Sequence, residues 1–170
     1  MSDILAVWNR LPAAEAENEI VACCGSRTWA RRMVSRRPLG DEAALLAASD
    51  EVWRGLSEAD WTEAFRSHPR IGESSAEEAM EGRSAEWSAQ EQSGVATGGG
   101  GVKTALADAN RDYERRFGRI FIVCATGKSA GEILAILRQR LQNDVITELH
   151  ETAEQQRQIT QIRLKRSLAR

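Results

Sequence analysis

The stretch SHPRIGE, residues 67–73, sets His68 directly before Pro69. Proline biases the residue before it away from the helical region, so an imidazole closing a helical pattern has little freedom to lose and can aim into a cleft. An unperturbed imidazole titrates near 6.5 and can act as acid or base around neutrality. The same spot also suits a histidine tucked under a helix C-terminus, where the dipole favours its cation. Residue type alone leaves both readings open. A second candidate is SAQEQ, residues 88–92. Ser88, Glu91 and Gln92 stand at i, i+3 and i+4, so on a helix a hydroxyl, a carboxylate and an amide face one way. That set can hydrogen-bond a polar heterocycle, or it can be a solvated helix face.

Arg163 follows Val145 by 18 residues, five helical turns, which puts both on one face of an unbroken helix. Leu149 and Ile159 fall within about 40° of that line at 3.6 residues per turn, although Ile162 does not. An arginine on a partly apolar face points to a buried anion or carbonyl partner. The run GRIFIVCATGKSAGEIL, residues 118–134, brings Gly127-Lys128-Ser129 behind an apolar stretch. A phosphate-binding loop needs a glycine five positions before the second one, and that place is Ile122. The nearest upstream glycine, Gly118, lies four positions too early, so a turn followed by a helix cap explains Gly-Lys-Ser better.

Side chains this scattered need elements to bring them together, and the pattern is helical almost throughout. Ser2 can cap a short segment with Ile4, Leu5 and Trp8; Pro12 suits a first-turn position before 13–24, with Gly25 as the stop. Ser26 opens a segment ended by Pro38, Asp41 caps the next as far as Gly55, and Ser57 with Asp60 signals another start. A helix from about Ser84 carries Ser88 and Glu91. Ser129 and Glu132 make a capping box, and a last long pattern runs from Asp144 towards Leu168. Strand character is confined to residues 120–124. One strand cannot build a sheet, so the expectation is an all-α, single-domain bundle over 1–170 with one extended segment threaded through it.

Composition excludes several classes. A length of 170 residues fits one domain, and a net charge of −2 offers no field for polyanions. Arg27, Arg31, Arg32, Arg36 and Arg37 form a basic run, but neighbouring acids and the lack of interleaved exposed aromatics argue for a surface face rather than nucleic-acid contact. The five tryptophans recur inside helical patterns and read as core. No apolar run approaches the ~20 residues of a membrane span, and no signal-like leader is evident. Cys23, Cys24 and Cys124 suit no disulfide framework, so a soluble, cytoplasmic protein is expected. With His68 and His150 far apart and thiols scattered, no metal site is expected.

Taken in order, HPRIGE, SAQEQ, YERRFGRIFIVCATGKS, ILRQRLQND and QIRL resemble the 2-oxo-4-hydroxy-4-carboxy-5-ureidoimidazoline (OHCU) decarboxylases of urate catabolism, with looser likeness in LAVWNRLP and WARRMVSRRP. The resemblance implies an all-helical homodimer that works without metal or organic cofactor on a small-molecule substrate, giving S-allantoin. It places the catalytic histidine on His68, with Glu91 beside it. It implies substrate contacts at Pro69, Ser88, Gln92 and Arg163, and main-chain contacts along Phe121, Ile122, Val123, Cys124 and Ala125. A segment unpaired in a sheet is expected to leave its N–H and C=O groups free for a polar ring. Arg70 and Glu73 receive no catalytic role, and the glycine run 98–101 receives no meaning. The competing reading is a non-catalytic helical binding or regulatory domain that kept the fold.

Overall fold

The computed structural model describes residues 3–72, 83–96 and 99–169, and these form ten helices with no strand among them. Helix starts follow the polar residues that the sequence offers. Ser26 accepts from the Trp29 amide at the head of α3 (Arg27–Ser35), and Asp41 accepts from Ala44 N at 2.8 Å ahead of α4 (Glu42–Arg54). Before them run α1 (Asp3–Arg10) and α2 (Ala13–Cys24), the latter closed by Gly25 at φ 88. Pro12 precedes α2 as its cap instead of occupying its first turn. Ser57 and Asp60 bond reciprocally at the start of α5 (Glu58–Phe65). Ser2, Glu73 and Gly98 fall outside the described residues.

Next come α6 (Arg83–Glu91), α7 (Ser93–Ala96), α8 (Gly100–Phe117), α9 (Ala130–Arg140) and α10 (Val145–Leu168). The 18-residue α8 begins inside the glycine run, at Gly100 with Gly99 as its cap. A Cβ at Gly99, Gly100 or Gly101 would meet nothing within 4 Å, so no crowding demands glycine there. Gly94 differs: a Cβ there would collide with the Lys128 carbonyl, which seats α7 against the turn before α9. Ser129 and Glu132 make both halves of the capping box. Gly127 sits at φ 77, Lys128 N donates back to Ala125 O at 3.0 Å, and Gly-Lys-Ser is a turn and cap.

The described residues fall into two compact units, one of residues up to Ala64 with those from Arg157 onward, the other Phe65–Gln156. In the first, α2 packs on α3 and α3 on α4. Its core includes Trp8, Ile20, Trp29, Met33, Leu45 and Trp53. The basic run is structural: Arg37 donates to the carbonyls of Trp8, Asn9 and Leu11, Arg32 to Gly55 O, and Arg36 pairs with Glu51. In the second unit α8 packs on α9, around Leu106, Tyr113, Phe117, Phe121, Ile133 and Leu137. Four tryptophans are buried and Trp61 is half-buried, its indole N–H bonded to Trp53 O. No helix among the described residues is long and apolar enough to cross a membrane.

Candidate active site

His68 lies just past the end of α5, where its amide donates to Phe65 O at 3.4 Å, and both it and Pro69 are half-buried. Its Nε2 is 2.6 Å from Oε1 of Gln156, a fully buried side chain on α10. The loop behind Pro69 is tied at three points. Asn110 donates to Ile71 O at 3.0 Å, Arg70 pairs with Glu114, and Gly72 N donates to Gln92 Oε1 at 3.1 Å. The exit of α5 therefore presents the imidazole from an anchored turn.

On α6 the burial pattern decides between the two readings of SAQEQ. Trp87, Ser88 and Glu91 are buried while Glu86, Ala89 and Gln90 are exposed. The hydroxyl and carboxylate thus share the inward face with a tryptophan, and the solvated-face reading does not hold for them. Gln92 is a turn residue beyond the helix end, although its amide keeps the helical bond to Ser88 O at 3.1 Å. Its side-chain oxygen accepts from Gly72, which leaves its NH₂ group and one lone pair of that oxygen to reach elsewhere.

Residues 120–125 belong to no helix or strand, and Phe121 to Ala125 are all buried. The expectation that their main-chain groups are free fails at four atoms. Arg140 Nη1 donates to Ile122 O at 2.6 Å, and Gln155 accepts from Cys124 N at 2.9 Å. Lys128 donates from Nζ to Cys124 O at 2.8 Å and from its amide to Ala125 O. Buried polar main chain without secondary structure must find partners, and side chains supply them here. Among the described residues, the N–H and C=O of Phe121 and Val123 have no hydrogen bond.

Arg140 is itself part of a buried network. Its Nε and Nη2 donate to Glu148 Oε1 at 2.8 and 2.5 Å, Tyr113 OH donates to the same oxygen at 2.6 Å, and Asn143 donates to Oε2. The guanidinium lies 4.6 Å from the Phe121 ring centroid. Burial, and then the bond to Glu148, pushes the Tyr113 phenol up to about 12. Sequence reading missed Arg140, Gln155 and Gln156. The available signal was Glu148, Thr152, Gln156 and Thr160 at i, i+4, i+8 and i+12: the buried stripe of α10 is polar, where amphipathic patterning looks for apolar residues.

Arg163 lies in the first unit, whereas His68, Pro69, Ser88, Glu91, Gln92 and 121–125 lie in the second. It is fully buried, with Nη1 donating to Ala22 O at 3.2 Å. Val145, placed on the same helical line by spacing, is 58% exposed, because what covers α10 changes along its 24 residues. Near Arg163, burial pushes the Cys24 thiol up to about 12. Among the described residues no group of three or more His, Cys, Asp or Glu is placed to hold a metal ion.

Residues 9–165 match the model of the OHCU decarboxylase family. The chain is 36% identical over 149 residues to the uric acid degradation bifunctional protein TTL of Arabidopsis thaliana. That match takes in 87% of this chain and 46% of the plant protein, so the chain spans about half the length of this curated relative. Among solved structures, an OHCU decarboxylase crystallised in the presence of (S)-allantoin superposes with TM-score 0.76 at 29% identity, covering 90% of this chain and 99% of that one. An (S)-allantoin synthase superposes with TM-score 0.73, over 96% of this chain and 54% of that one; at 17% identity it speaks for the fold alone. Fold and matches together define an all-α domain of the OHCU decarboxylase type. The chain belongs to the OHCU decarboxylase family.

Proposed function

We propose that the chain decarboxylates OHCU to S-allantoin in urate degradation, with His68 as general acid/base. The observation that carries this is the family match, which runs through both compact units and so also favours one functional domain over 1–170. The substrate's carboxylate sits on a carbon next to a C=N bond. As the carbon–carbon bond breaks and CO₂ leaves, the electron pair flows into that imine. The substrate is its own electron sink, and the reaction has no need of pyridoxal, thiamine or a metal.

His68 handles the proton while the enol forms and collapses, and general acid/base catalysis of this kind contributes ~10²–10⁴-fold. Glu91, buried on the inward face of α6, orients the imidazole or accepts ring and ureido N–H bonds. Ser88, the Gln92 side-chain amide and the 121–125 segment fix the ring, with Phe121 and Val123 the main-chain contributors whose N–H and C=O have no partner among the described residues. Pro69 packs against the ligand, and Arg163 holds a carbonyl or carboxylate oxygen. Delivery of the proton to one ring face gives the S product. We further read the protein as a cytoplasmic homodimer. Free, buried Cys23, Cys24 and Cys124 suit a reducing compartment, and adjacent exposed Val145 and Ile146 suit self-association.

OHCU generated in situ from urate by urate oxidase and hydroxyisourate hydrolase provides the test. With the protein present, ultraviolet decay accelerates and the allantoin is optically active. His68→Ala keeps a cooperative melt and loses turnover by roughly 10²-fold or more. Parental turnover in that variant would remove His68 from the chemistry, and an inert parent protein would favour the non-catalytic binding domain.

A further inference from the structure

Gln156 has no role in the chemistry described so far, yet it is a fully buried amide whose Oε1 stands 2.6 Å from His68 Nε2. An amide oxygen can only accept, so the ring nitrogen facing it must carry the proton. In neutral imidazole one nitrogen donates and the other accepts, and the partner of the first decides which is which. We propose that Gln156 is the positioning residue of the His68 imidazole: it holds the Nε2–H tautomer and puts the basic lone pair on Nδ1, the atom through which neutral His68 can take a proton.

The neighbouring contacts support this assignment. Gln155 accepts from the main chain of the extended segment at Cys124, while one turn back Thr152 accepts from Arg140, the residue that binds Ile122 O. Within five residues of α10, Gln156 thus meets the imidazole, Gln155 the main chain at Cys124, and Thr152 the arginine that binds Ile122 O. A rigid helix spacing these contacts sets the distance between acid/base group and ring-binding segment, the kind of support that pre-organised sites need. A buried amide is also neutral, so it orients the ring without favouring the imidazolium as a carboxylate would. The role as positioning residue rests on the decarboxylase reading; the tautomer does not.

Two measurements on the full-length protein test it. Long-range ¹H–¹⁵N NMR, with the His68 ring assigned from a His68→Gln variant, reports the tautomer with no substrate present. The parent is expected in the Nε2–H form, Gln156→Leu in a mixture, and Gln156→Glu, which keeps an acceptor oxygen, again in the Nε2–H form. With OHCU, Gln156→Leu is expected to lower kcat by about ten-fold, the scale on which loss of an imidazole-orienting partner acts, with KM within two-fold. Gln156→Glu recovers most of that kcat at a pH high enough to leave the imidazole neutral. An Nδ1–H parent ring, or a Leu variant that loses KM and kcat together with no change of tautomer, overturns the proposal. If either variant fails to fold, the parent spectrum still decides. An Nε2–H ring in a parent without turnover would instead sink the decarboxylase reading and leave the hydrogen-bond assignment standing.

Discussion

Buried and half-buried polar side chains in the first unit mostly serve helices. Ser26 caps α3 and Ser49 accepts from Trp29 Nε1. Arg37 gathers three carbonyls at the end of α1, and Arg163 donates to the carbonyl of Ala22 within α2. In the second unit they serve a stretch with no ladder of its own. Arg140, Gln155 and Lys128 bind the main chain of 122–125, and Arg140 is in turn held by Glu148 with Tyr113 and Asn143. A helix satisfies its own interior backbone, so it asks for polar help only at its ends. An extended segment inside a bundle asks for help at every buried group, and charged side chains must then be buried with it. Irregular buried main chain and the buried ion pair behind it are two sides of one requirement.

Removing one partner of that pair should have the largest effect. Arg140→Met strands the Glu148 carboxylate in the interior and frees Ile122 O, at a cost of about 3–5 kcal/mol in urea unfolding. Adding Glu148→Leu to it should restore part of the loss, since no lone charge then remains buried. Arg37→Met in the first unit breaks bonds to carbonyls near solvent and should cost less, about 1–3 kcal/mol. Equal losses from Arg37→Met and Arg140→Met would erase the contrast between the units.

High pH gives a second, smaller separation. The Tyr113 phenol stays neutral in the folded protein to about 12, while the unfolded chain ionises it from its ordinary 10. Its contribution to stability is whole below pH 10 and is lost as pH rises through 12. The Cys24 thiol, raised from 9 to about 12, behaves alike from pH 9 upward. Tyr113→Phe should cost about 1–2 kcal/mol at neutrality, for the lost bond to Glu148, and flatten the decline between 10 and 12. Cys24→Ala should flatten the part that begins near 9. Alkaline melting curves of the two variants check the assignment; identical profiles would contradict it.

Helix boundaries were legible because their signals are local. Ser26, Asp41, Ser57 with Asp60, Ser129 with Glu132, and Gly25 each act within one turn, and each is found in the expected role. The single apolar run at 120–124 has no partner run in the sequence, and it pairs with no strand among the described residues. What the sequence could not convey was who would satisfy it. The partners come from 18 and 31 residues away, Arg140 for Ile122 and Gln155 for Cys124, and no periodicity encodes such pairings. The polar stripe of α10 was visible as letters, but patterning treats polar positions as outward, and Glu148 to Thr160 invert that rule. His68 stood out by type and by its proline, whereas its partner Gln156, 88 residues on, carried no mark.

The smallest expected effect lies at the cap of α4, in the first unit. Asp41 accepts from Ala44 N at 2.8 Å and is exposed, so water can replace the carboxylate when it is removed. Asp41→Ala should therefore cost about 1 kcal/mol, within the usual range for an N-cap. The loss should be insensitive to Tyr113→Phe, because sites in separate networks add. Measured by urea denaturation at neutral pH, the double variant should show the sum of the two single losses to within about 0.5 kcal/mol. A larger departure would mean that the cap of α4 and the buried network around Glu148 are energetically coupled, and the contrast would need redrawing.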